Sequence, residues 1–463
     1  MPNSTSHNWE LVVENREAVV AALARGECEG LLPAAEDFLD EFADFCLEIG
    51  LPALLEQLPD PRARRSIPAC FFGNLLLHKA LLRIPSLKQA TRVLFRSPAV
   101  LRRLGFNWRQ SHAGFYANAG VKPFNEEALA DFFAALAPEQ LWEYQLQMLP
   151  QLLAACPELL GAGTLVLDSI TVTVPAGHRG RAGAQYKACV LSASGRGQLF
   201  PLLCLFAPST VNDLTLGKQV LAAALPRLPA RPRHLLLDRG FLDGAWLGEL
   251  AAQGLAVVMG VRSDMHIYED LIGLSRLPGT PWERVSPPKL HGRPRPERYV
   301  TGFTQVESWD SCPVPLAGAV LRDEFPDGTR RYQVVVSTEA ASAKTLHTWA
   351  RKRRQIEEAF MALTRYWNLD ELGSCRHGVY LAQVYFTFLA YALLGAFVAR
   401  EGELVGPPAP ALPGRELVIY WGPYYAILLP SELFTLVFDN LPAWQANRGR
   451  WLEALRYCEG PPP

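Results

Sequence analysis

Two short, wholly apolar segments that each end in an aspartate constrain the fold of this chain more than any other feature. Residues 165–167 (LVL) precede Asp168, and residues 235–237 (LLL) precede Asp238. A strand without a polar position is buried on both of its faces, which requires a sheet that is covered on two sides. The pattern therefore predicts an α/β fold in which both carboxylates lie at the ends of buried strands.

The surrounding segments predict that this sheet is mixed. Three consecutive runs rich in branched residues follow residue 163 and are bounded by glycine or proline: TLVLDSITVTV, QYKACVLSAS and GQLFPLLCLFAP. They predict an antiparallel meander. Farther along, the apolar strands HLLLD and AVVMGV alternate with helical segments, and a long helix is expected over residues 343–367. This alternation is typical of a mixed sheet with helices on its faces.

The sequence also predicts three further regions. Over residues 1–155, apolar residues recur at three-and-four spacing, so we expect an all-α N-terminal domain. The α/β domain is expected over residues 160–400. It is interrupted at residues 263–330, where prolines and an Asp-Gly turn indicate a β-rich insertion. Residues 401–463 predict an aromatic, partly helical C-terminal segment.

Charge is distributed unevenly along the chain. Residues 1–60 contain thirteen Asp and Glu against two Lys and Arg, whereas residues 61–110 contain eleven Lys and Arg and no acid. The formal net charge of -1 hides this asymmetry. Salt-bridged surfaces normally mix both signs, so an unbroken basic stretch indicates a surface that binds phosphates. The alternative interpretation is a solvated basic face without a ligand.

Secretion and membrane insertion are not expected. The N-terminus lacks the basic start and apolar run of a signal peptide, and the nine cysteines show neither C-x-x-C pairs nor zinc spacing. Residues 378–398 are uncharged and long enough to span a membrane. They contain Gln383 and several tyrosines and follow a charged helix directly, which favours a buried core helix. We therefore expect a cytoplasmic protein with reduced thiols.

The two strand-end carboxylates indicate a cation site. An ionised carboxylate at the end of a buried strand has to be paired, hydrogen-bonded or bound to a metal. Because Asp168 and Asp238 follow strands of one predicted sheet, a shared cation is expected. The alternative is that each aspartate caps a turn, as aspartate often does.

A third acid is expected from the long helix. At about 100° per residue, its apolar residues gather on one stripe that must face the sheet. The stripe consists of Trp349, Ile356, Phe360, Leu363 and Trp367. Glu357 lies about 100° from this stripe, whereas Glu358 lies about 200° away and points to solvent. Glu357 is therefore the acid that can reach the sheet edge, and the alternative is an intrahelical ion pair with Arg353.

The order of these motifs resembles the DDE transposases of bacterial insertion sequences. Their Y-R-E-K group combines a strand aspartate, a D-R-G-[FY] turn and a helix with the signature Y-x2-R-x3-E-x6-K. The chain supplies LDS at 167–169, DRGF at 238–241 and RKRRQIEEAF at 351–360. The similarity covers roughly residues 160–400 and includes a β-rich insertion before the last helix. It implies a ribonuclease H-like mixed sheet flanked by helices.

Two positions depart from that signature. Ala350 stands where the group has tyrosine and Thr364 where it has lysine, while Arg353 and Glu357 are in place. The resemblance implies that the two missing side chains hold DNA phosphates near the cut. Arg365 is a candidate substitute for the lysine, but on the helical wheel it lies about 100° from Thr364.

The resemblance also implies a reaction and its partners. Asp168, Asp238 and Glu357 would be catalytic and would hold two Mg²⁺ ions, with Mn²⁺ as a substitute and Asp168 as the bridging ligand. The reaction would be strand cleavage and strand transfer at the ends of a mobile element. The partners would be double-stranded DNA, at the element ends and at the target, and a second copy of the chain in a homodimeric synaptic complex. The protein would act at the bacterial nucleoid.

Ten basic residues are candidates for DNA binding. Five lie in the catalytic motifs or their helix, and five lie in the basic stretch of the probable DNA-binding domain at the N-terminus. They are Arg239, Arg351, Arg353, Arg354 and Arg365, and Arg62, Arg64, Arg65, Lys88 and Arg92. For the helix, a solvated face with intrahelical ion pairs is the alternative.

Two other functions stay open at this point. One is a ribonuclease H-like endonuclease that uses the same acids without strand transfer. The other is a non-catalytic DNA-binding descendant of a transposase, which the departures at Ala350 and Thr364 favour. Cleavage that depends on Mg²⁺ separates the second from an enzyme, and a strand-transfer assay separates the first from a transposase.

Overall fold

The structure is a computed structural model in which the chain divides into two compact units. The larger unit is Pro138–Ala399, and the smaller unit combines Met1–Ala137 with Arg400–Pro463. The structure describes residues 30–33, 42, 45–62, 69–84, 86–94, 126–161, 163–176, 183–195, 198–286, 296–367, 369, 372–401, 417–421 and 424–428.

Twelve β-strands and ten α-helices lie within these described residues. The strands are β1 (Gly30–Pro33), β2 (Thr164–Val174), β3 (Ala184–Gly195), β4 (Gln198–Pro208), β5 (His234–Leu237), β6 (Ala256–Gly260), β7 (Glu283–Val285), β8 (Glu297–Val306), β9 (Leu316–Glu324), β10 (Arg330–Ser337), β11 (Leu417–Trp421) and β12 (Tyr424–Leu428). The helices are α1 (Leu51–Leu55), α2 (Ala69–Leu81), α3 (Leu87–Leu94), α4 (Glu126–Ala134), α5 (Pro138–Ala155), α6 (Asp213–Ala224), α7 (Gly244–Ala252), α8 (His266–Ser275), α9 (Ala343–Tyr366) and α10 (His377–Glu401).

A nine-stranded mixed sheet forms the centre of the larger unit, in the order β4-β3-β2-β5-β6-β10-β9-β8-β7. β2, β3 and β4 form the predicted antiparallel meander, and β5 and β6 add to β2 in parallel. β10 then pairs antiparallel with β6. Together with its flanking helices, this is a ribonuclease H-like fold, as predicted.

The β-rich segment before helix α9 continues this sheet. Residues 263–330 contain β7, β8 and β9, which extend the edge beyond β10. The predicted Asp-Gly turn joins β9 to β10. Gly328 has a φ of 83° in that turn, a conformation that glycine adopts without steric cost.

The two buried strands with terminal aspartates are neighbours in the sheet. β2 and β5 pair in parallel up to Leu167 opposite Leu237, where β5 ends. Asp168 and Asp238 therefore follow the last pair of this ladder side by side. The prediction that Asp168 ends its strand is wrong, because β3 stays paired with β2 and carries it on to Val174.

The helix α9 covers one face of the sheet through its predicted apolar stripe. Ile356 and Leu363 are fully buried, and Trp349 and Phe360 pack against the hydrophobic cluster that contains Ile356. The Ser342 hydroxyl accepts a hydrogen bond from a backbone N–H in the first turn and so caps the helix. Burial of the stripe fixes which side of α9 meets the edge of the sheet.

The helix α6 covers the opposite face. Gly217 lies so close to the Phe241 ring that an added Cβ would approach it to 2.7 Å, and the side chain of Leu167 is the next neighbour. Leu167 and Val166 point to opposite faces because strand side chains alternate, and Val166 belongs to the core under α9. The sheet is therefore sandwiched between helices, as its apolar strands require.

Two further helices complete the larger unit. The side-chain amide of Gln145 in α5 both donates to and accepts from the backbone of Cys204 in β4, at 3.0 and 2.8 Å. The apolar helix α10 contains the segment that has the length of a membrane span. By length and composition alone, its described part could cross a membrane. However, 78% of its most apolar stretch is buried inside the protein, and Tyr385 packs against Tyr144 of α5. Both observations support the predicted core helix.

The smaller unit differs from the predicted all-α domain in one element. Its described helices are α1 to α4, but β1 forms a three-stranded sheet with β11 and β12. The partner strand lies near the other end of the chain, so no local periodicity could have indicated this pairing. The same hairpin is the described part of the C-terminal segment that was predicted to be aromatic and partly helical.

Candidate active site

The sheet points both aspartates at the same helix. Val166 and Leu236 belong to the hydrophobic core under α9, on β2 and β5 respectively. Because side chains two residues apart on a strand share a face, Asp168 and Asp238 point toward α9 as well. Glu357 lies on the flank of α9, next to the buried Ile356. Three distant segments thus bring a carboxylate to one place.

A single guanidinium joins the three carboxylates. Nη1 of Arg353 lies 3.0 Å from Oδ1 of Asp238 and 3.5 Å from Oδ2 of Asp168. Nη2 of the same side chain donates to Oε1 of Glu357. The intrahelical pair between Arg353 and Glu357 is therefore present, and it coexists with the convergence on the sheet edge.

Exposure to solvent increases across the cluster. The side chain of Asp168 is 16% exposed, that of Asp238 is 35% exposed and that of Glu357 is 58% exposed. Burial raises the pKa of Asp168 from 3.8 to about 6, and the charges of Asp238 and Glu357 add to this effect. The backbone N–H of Ser169, which donates to Oδ1 of Asp168 at 2.8 Å, and the Arg353 charge lower the pKa and oppose it. Asp168 is thus the innermost acid of the cluster.

The donor set suits a hard divalent cation. Mg²⁺ prefers carboxylate oxygens at about 2.0–2.1 Å, and three acids from two strands and a helix supply them. Within the described residues, however, no three His, Cys, Asp or Glu side chains are grouped closely enough to hold a metal ion. The reason is visible in the contacts, since the acids are arranged around a guanidinium, which holds its oxygen partners farther away than a metal would.

A cleft of about 800 Å³ opens beside the carboxylates. Five arginines and three acids line it, so its net charge is positive. One of these arginines, Arg298, is buried in a bidentate pair with Asp323, with both N–O distances at 2.5 Å. Arg353 is engaged with the carboxylates. The remaining three, Arg239, Arg331 and Arg354, form no ion pair with any carboxylate that the structure describes.

Arg354 is the innermost of these three. Its Nη2 donates to Oε1 of Gln333 at 3.4 Å, and burial together with the nearby positive charge of Arg298 lowers its pKa below the usual value. The buried pair of Arg298 and Asp323 lines the same cleft. A half-buried cation beside like charges gains stabilisation when an anion such as a phosphate binds.

The other predicted DNA-binding residues lie in different environments. Arg351 and Arg365 are exposed on α9, Arg239 is exposed in the turn after β5, and Lys88 is exposed on α3. Arg92 belongs to α3, but its side chain lies outside the described residues, as do Arg64 and Arg65 entirely. None of these placements tests the predicted role.

Arg62 has local partners instead. Its guanidinium donates to both carboxylate oxygens of Asp60, at 2.8 and 2.7 Å, and stacks on the rings of Phe72 and Phe132 at 4.5 and 5.2 Å. These contacts take part in packing the smaller unit and leave fewer donors for a phosphate.

The sequence interpretation missed Arg331. It stands two residues before Gln333 and four before Val335 on β10, and Val335 belongs to the core under α9. The period of two along a strand places all three on the face that α9 covers. That signal was available in the sequence, but only once Val335 was known to face α9.

Residues 160–393 match the family model described as the transposase DDE domain. Comparison with curated proteins gives no match. Among solved structures, the cryo-EM structure of a piggyBac transposase synaptic complex with hairpin DNA is similar at 11% sequence identity, covering 78% of this chain and 76% of that one with a TM-score of 0.40. Because the family model matches half of the length of this chain, the chain belongs to the transposase DDE domain family.

Proposed function

We propose that this protein is a DNA transposase that cleaves and transfers DNA strands at the ends of a mobile element. The observation that carries the proposal is the convergence of Asp168, Asp238 and Glu357 on one cationic group beside a basic cleft. Arg353 and Glu357 stand at the spacing of the Y-R-E-K group of bacterial insertion sequences, and we assign the chain to that group.

The three acids would hold two divalent ions, Mg²⁺ or in its place Mn²⁺. When bound, such a pair activates an oxygen nucleophile and neutralises the charge that develops on the phosphate and the leaving oxygen. Asp168 is the most buried of the three acids, so we assign it the shared position. Asp238 and Glu357 would each complete one side.

The arginines of the cleft would position the strand. Arg239, Arg331 and Arg354 line it and have no ion-pair partner among the described carboxylates, so phosphate oxygens can take that place. Arg351 and Arg365 extend the positive charge along the exposed side of α9. Neither Ala350 nor Thr364 can bind a phosphate as the tyrosine and lysine of the group would, so these arginines would bind it instead.

Double-stranded DNA would bind both as element ends and as target. The basic stretch after residue 60, including Arg64, Arg65, Lys88 and Arg92, would contribute to this binding from the smaller unit, and Arg62, whose guanidinium is bound to Asp60, would contribute least. We propose a homodimeric synaptic complex at the nucleoid in the cytoplasm, because strand transfer requires two ends to be held together.

The proposal is tested with purified protein and duplex DNA that carries the inverted repeats flanking its gene. Nicking at the repeat ends is expected only with Mg²⁺ or Mn²⁺, and a pre-cleaved 3' end is expected to join to a second duplex. Asp168→Asn, Asp238→Asn and Glu357→Gln should each abolish cutting, by about a thousandfold or more, while DNA binding persists.

Each outcome has a definite meaning. A variant that cuts at the wild-type rate removes its residue from the mechanism. Metal-dependent nicking without joining indicates an endonuclease. DNA binding without nicking by the wild-type protein overturns the catalytic proposal and favours a non-catalytic descendant, the function that Ala350 and Thr364 would suit.

A further inference from the structure

We propose that Arg353 controls metal loading by occupying the cation position of the site until DNA draws it away. The inference rests on the proposed function, because it takes Asp168, Asp238 and Glu357 as the metal ligands. It concerns the order of binding, which the family assignment leaves open.

The geometry places the guanidinium where a shared ion would bind. One nitrogen, Nη1 of Arg353, is within 3.5 Å of an oxygen from each aspartate, and the other, Nη2, contacts Glu357. A cation that bridges the two aspartates has to lie near the position of this nitrogen. Metal and guanidinium therefore compete for the same oxygens.

Electrostatics makes the two states exclusive. Three carboxylates around one guanidinium leave a net negative charge that attracts divalent ions, but the guanidinium repels any ion that approaches the same oxygens. Asp168 is only 16% exposed, so water screens this repulsion poorly at the inner position. When no DNA is bound, a metal can bind only if Arg353 gives up its carboxylate partners and gains no new anionic partner in exchange.

The cleft offers Arg353 an alternative partner when DNA is bound. Arg353 itself lines the cleft next to Arg354, and its side chain is 21% exposed, so rotation toward the cleft does not require the core to open. A phosphate there would pair with the guanidinium and free the carboxylates. DNA and metal would then strengthen each other's binding, and such coupling is reciprocal by thermodynamic necessity.

A matched control is present on the same helix. Arg351 carries the same charge two residues earlier and is exposed. Among the contacts of the described residues, none joins it to the three acids. Arg351→Gln therefore removes one positive charge from α9 without removing the competitor, whereas Arg353→Gln removes both.

The experiment measures Mn²⁺ binding to the full-length protein by electron paramagnetic resonance of the free ion. Without DNA, Arg353→Gln should bind Mn²⁺ about tenfold more tightly than the wild type, while Arg351→Gln should stay within about twofold. Equal or weaker binding by Arg353→Gln overturns the proposal. Arg353→Lys keeps the charge and should remain closer to the wild type, and matched far-UV circular dichroism spectra confirm that each variant is folded.

A short duplex oligonucleotide provides the second arm. It should tighten Mn²⁺ binding to the wild type several-fold and have much less effect on Arg353→Gln. Asp168→Asn mixed with the same duplex serves as the control for Mn²⁺ that the DNA alone binds. Coupling that survives intact in Arg353→Gln contradicts the role of Arg353. If wild type, Arg353→Gln and Asp168→Asn all bind Mn²⁺ equally, the carboxylate site itself is refuted, which is the distinct failure of the proposed function.

Discussion

The two arginine-rich regions of this protein use their charges differently. In the smaller unit, Arg62 packs against the rings of Phe72 and Phe132 and pairs with Asp60, and the side chain of Lys79 is buried. In the larger unit, three arginines of α9 lie in different surroundings. Arg351 is exposed to solvent, Arg353 contacts carboxylates and Arg354 lines the cleft. Both regions look alike as runs of positive letters.

The comparison shows that the number of charges predicts little about their availability. An exposed cation is screened by water, whereas a cation among buried carboxylates or beside another cation carries electrostatic free energy that a ligand can change. Only contacts distinguish these cases. In the larger unit, Arg353 is held by acids from segments that are distant in the sequence.

Asp168 in the larger unit should make the free energy of unfolding fall as pH rises. The pKa of Asp168 is about 6 in the folded protein against 3.8 for an ordinary aspartate, so between these values the folded state binds more protons than the unfolded state. Raising the pH from 4 to 6 without metal should cost about 2 kcal/mol in the free energy of unfolding. Urea unfolding of wild type and Asp168→Asn over this range measures it, and an identical pH dependence in both contradicts the burial of this charge.

The base in the smaller unit should act in the opposite direction at higher pH. Burial lowers the pKa of Lys79 from 10.5 to about 8, so between these values the unfolded state binds more protons and stability should rise with pH. The gain is up to about 3 kcal/mol and should be absent in Lys79→Met. Thermal unfolding of both proteins from pH 8 to 10.5 tests this. An equal rise in both proteins would show that Lys79 reaches solvent and would contradict the prediction.

The two regions should also differ in their effect on DNA affinity. Arg354→Ala removes a cleft cation without an ion-pair partner among the described carboxylates, and we expect about a tenfold loss of affinity and a decrease of about one in the salt slope. Arg62→Ala should change affinity by less than about twofold, because its guanidinium is bound to Asp60 and two rings. Fluorescence anisotropy with a labelled duplex at several salt concentrations compares them. Reversed effects would make the smaller unit the main DNA contact.

Much of the fold followed from local pattern. The apolar runs before Asp168 and Asp238 required strands buried in one sheet, and the helical wheel placed Glu357 on the flank of α9. The stripe that includes Ile356 and Leu363 is buried as the wheel predicted. These features depend on periodicity alone, which a sequence displays directly.

The remaining features depend on contacts between distant segments. The extension of β2 past Asp168 is due to β3, and the pairing of β1 with β11 joins opposite ends of the chain. The sequence presented the pair of Arg353 and Glu357 as an alternative to catalytic convergence. In the structure Arg353 contacts all three acids, so the two interpretations describe one cluster.

The proposed mechanism requires that Asp168, Asp238 and Glu357 form one metal site. Crystals of the protein with duplex DNA and Mn²⁺, measured at the manganese absorption edge, test it most directly. We expect anomalous peaks within about 2.2 Å of carboxylate oxygens of Asp168 and Asp238, a second ion about 4 Å away near Glu357, and Arg353 turned to a phosphate. Bound DNA with Arg353 still on the acids and no anomalous peak between them would contradict it.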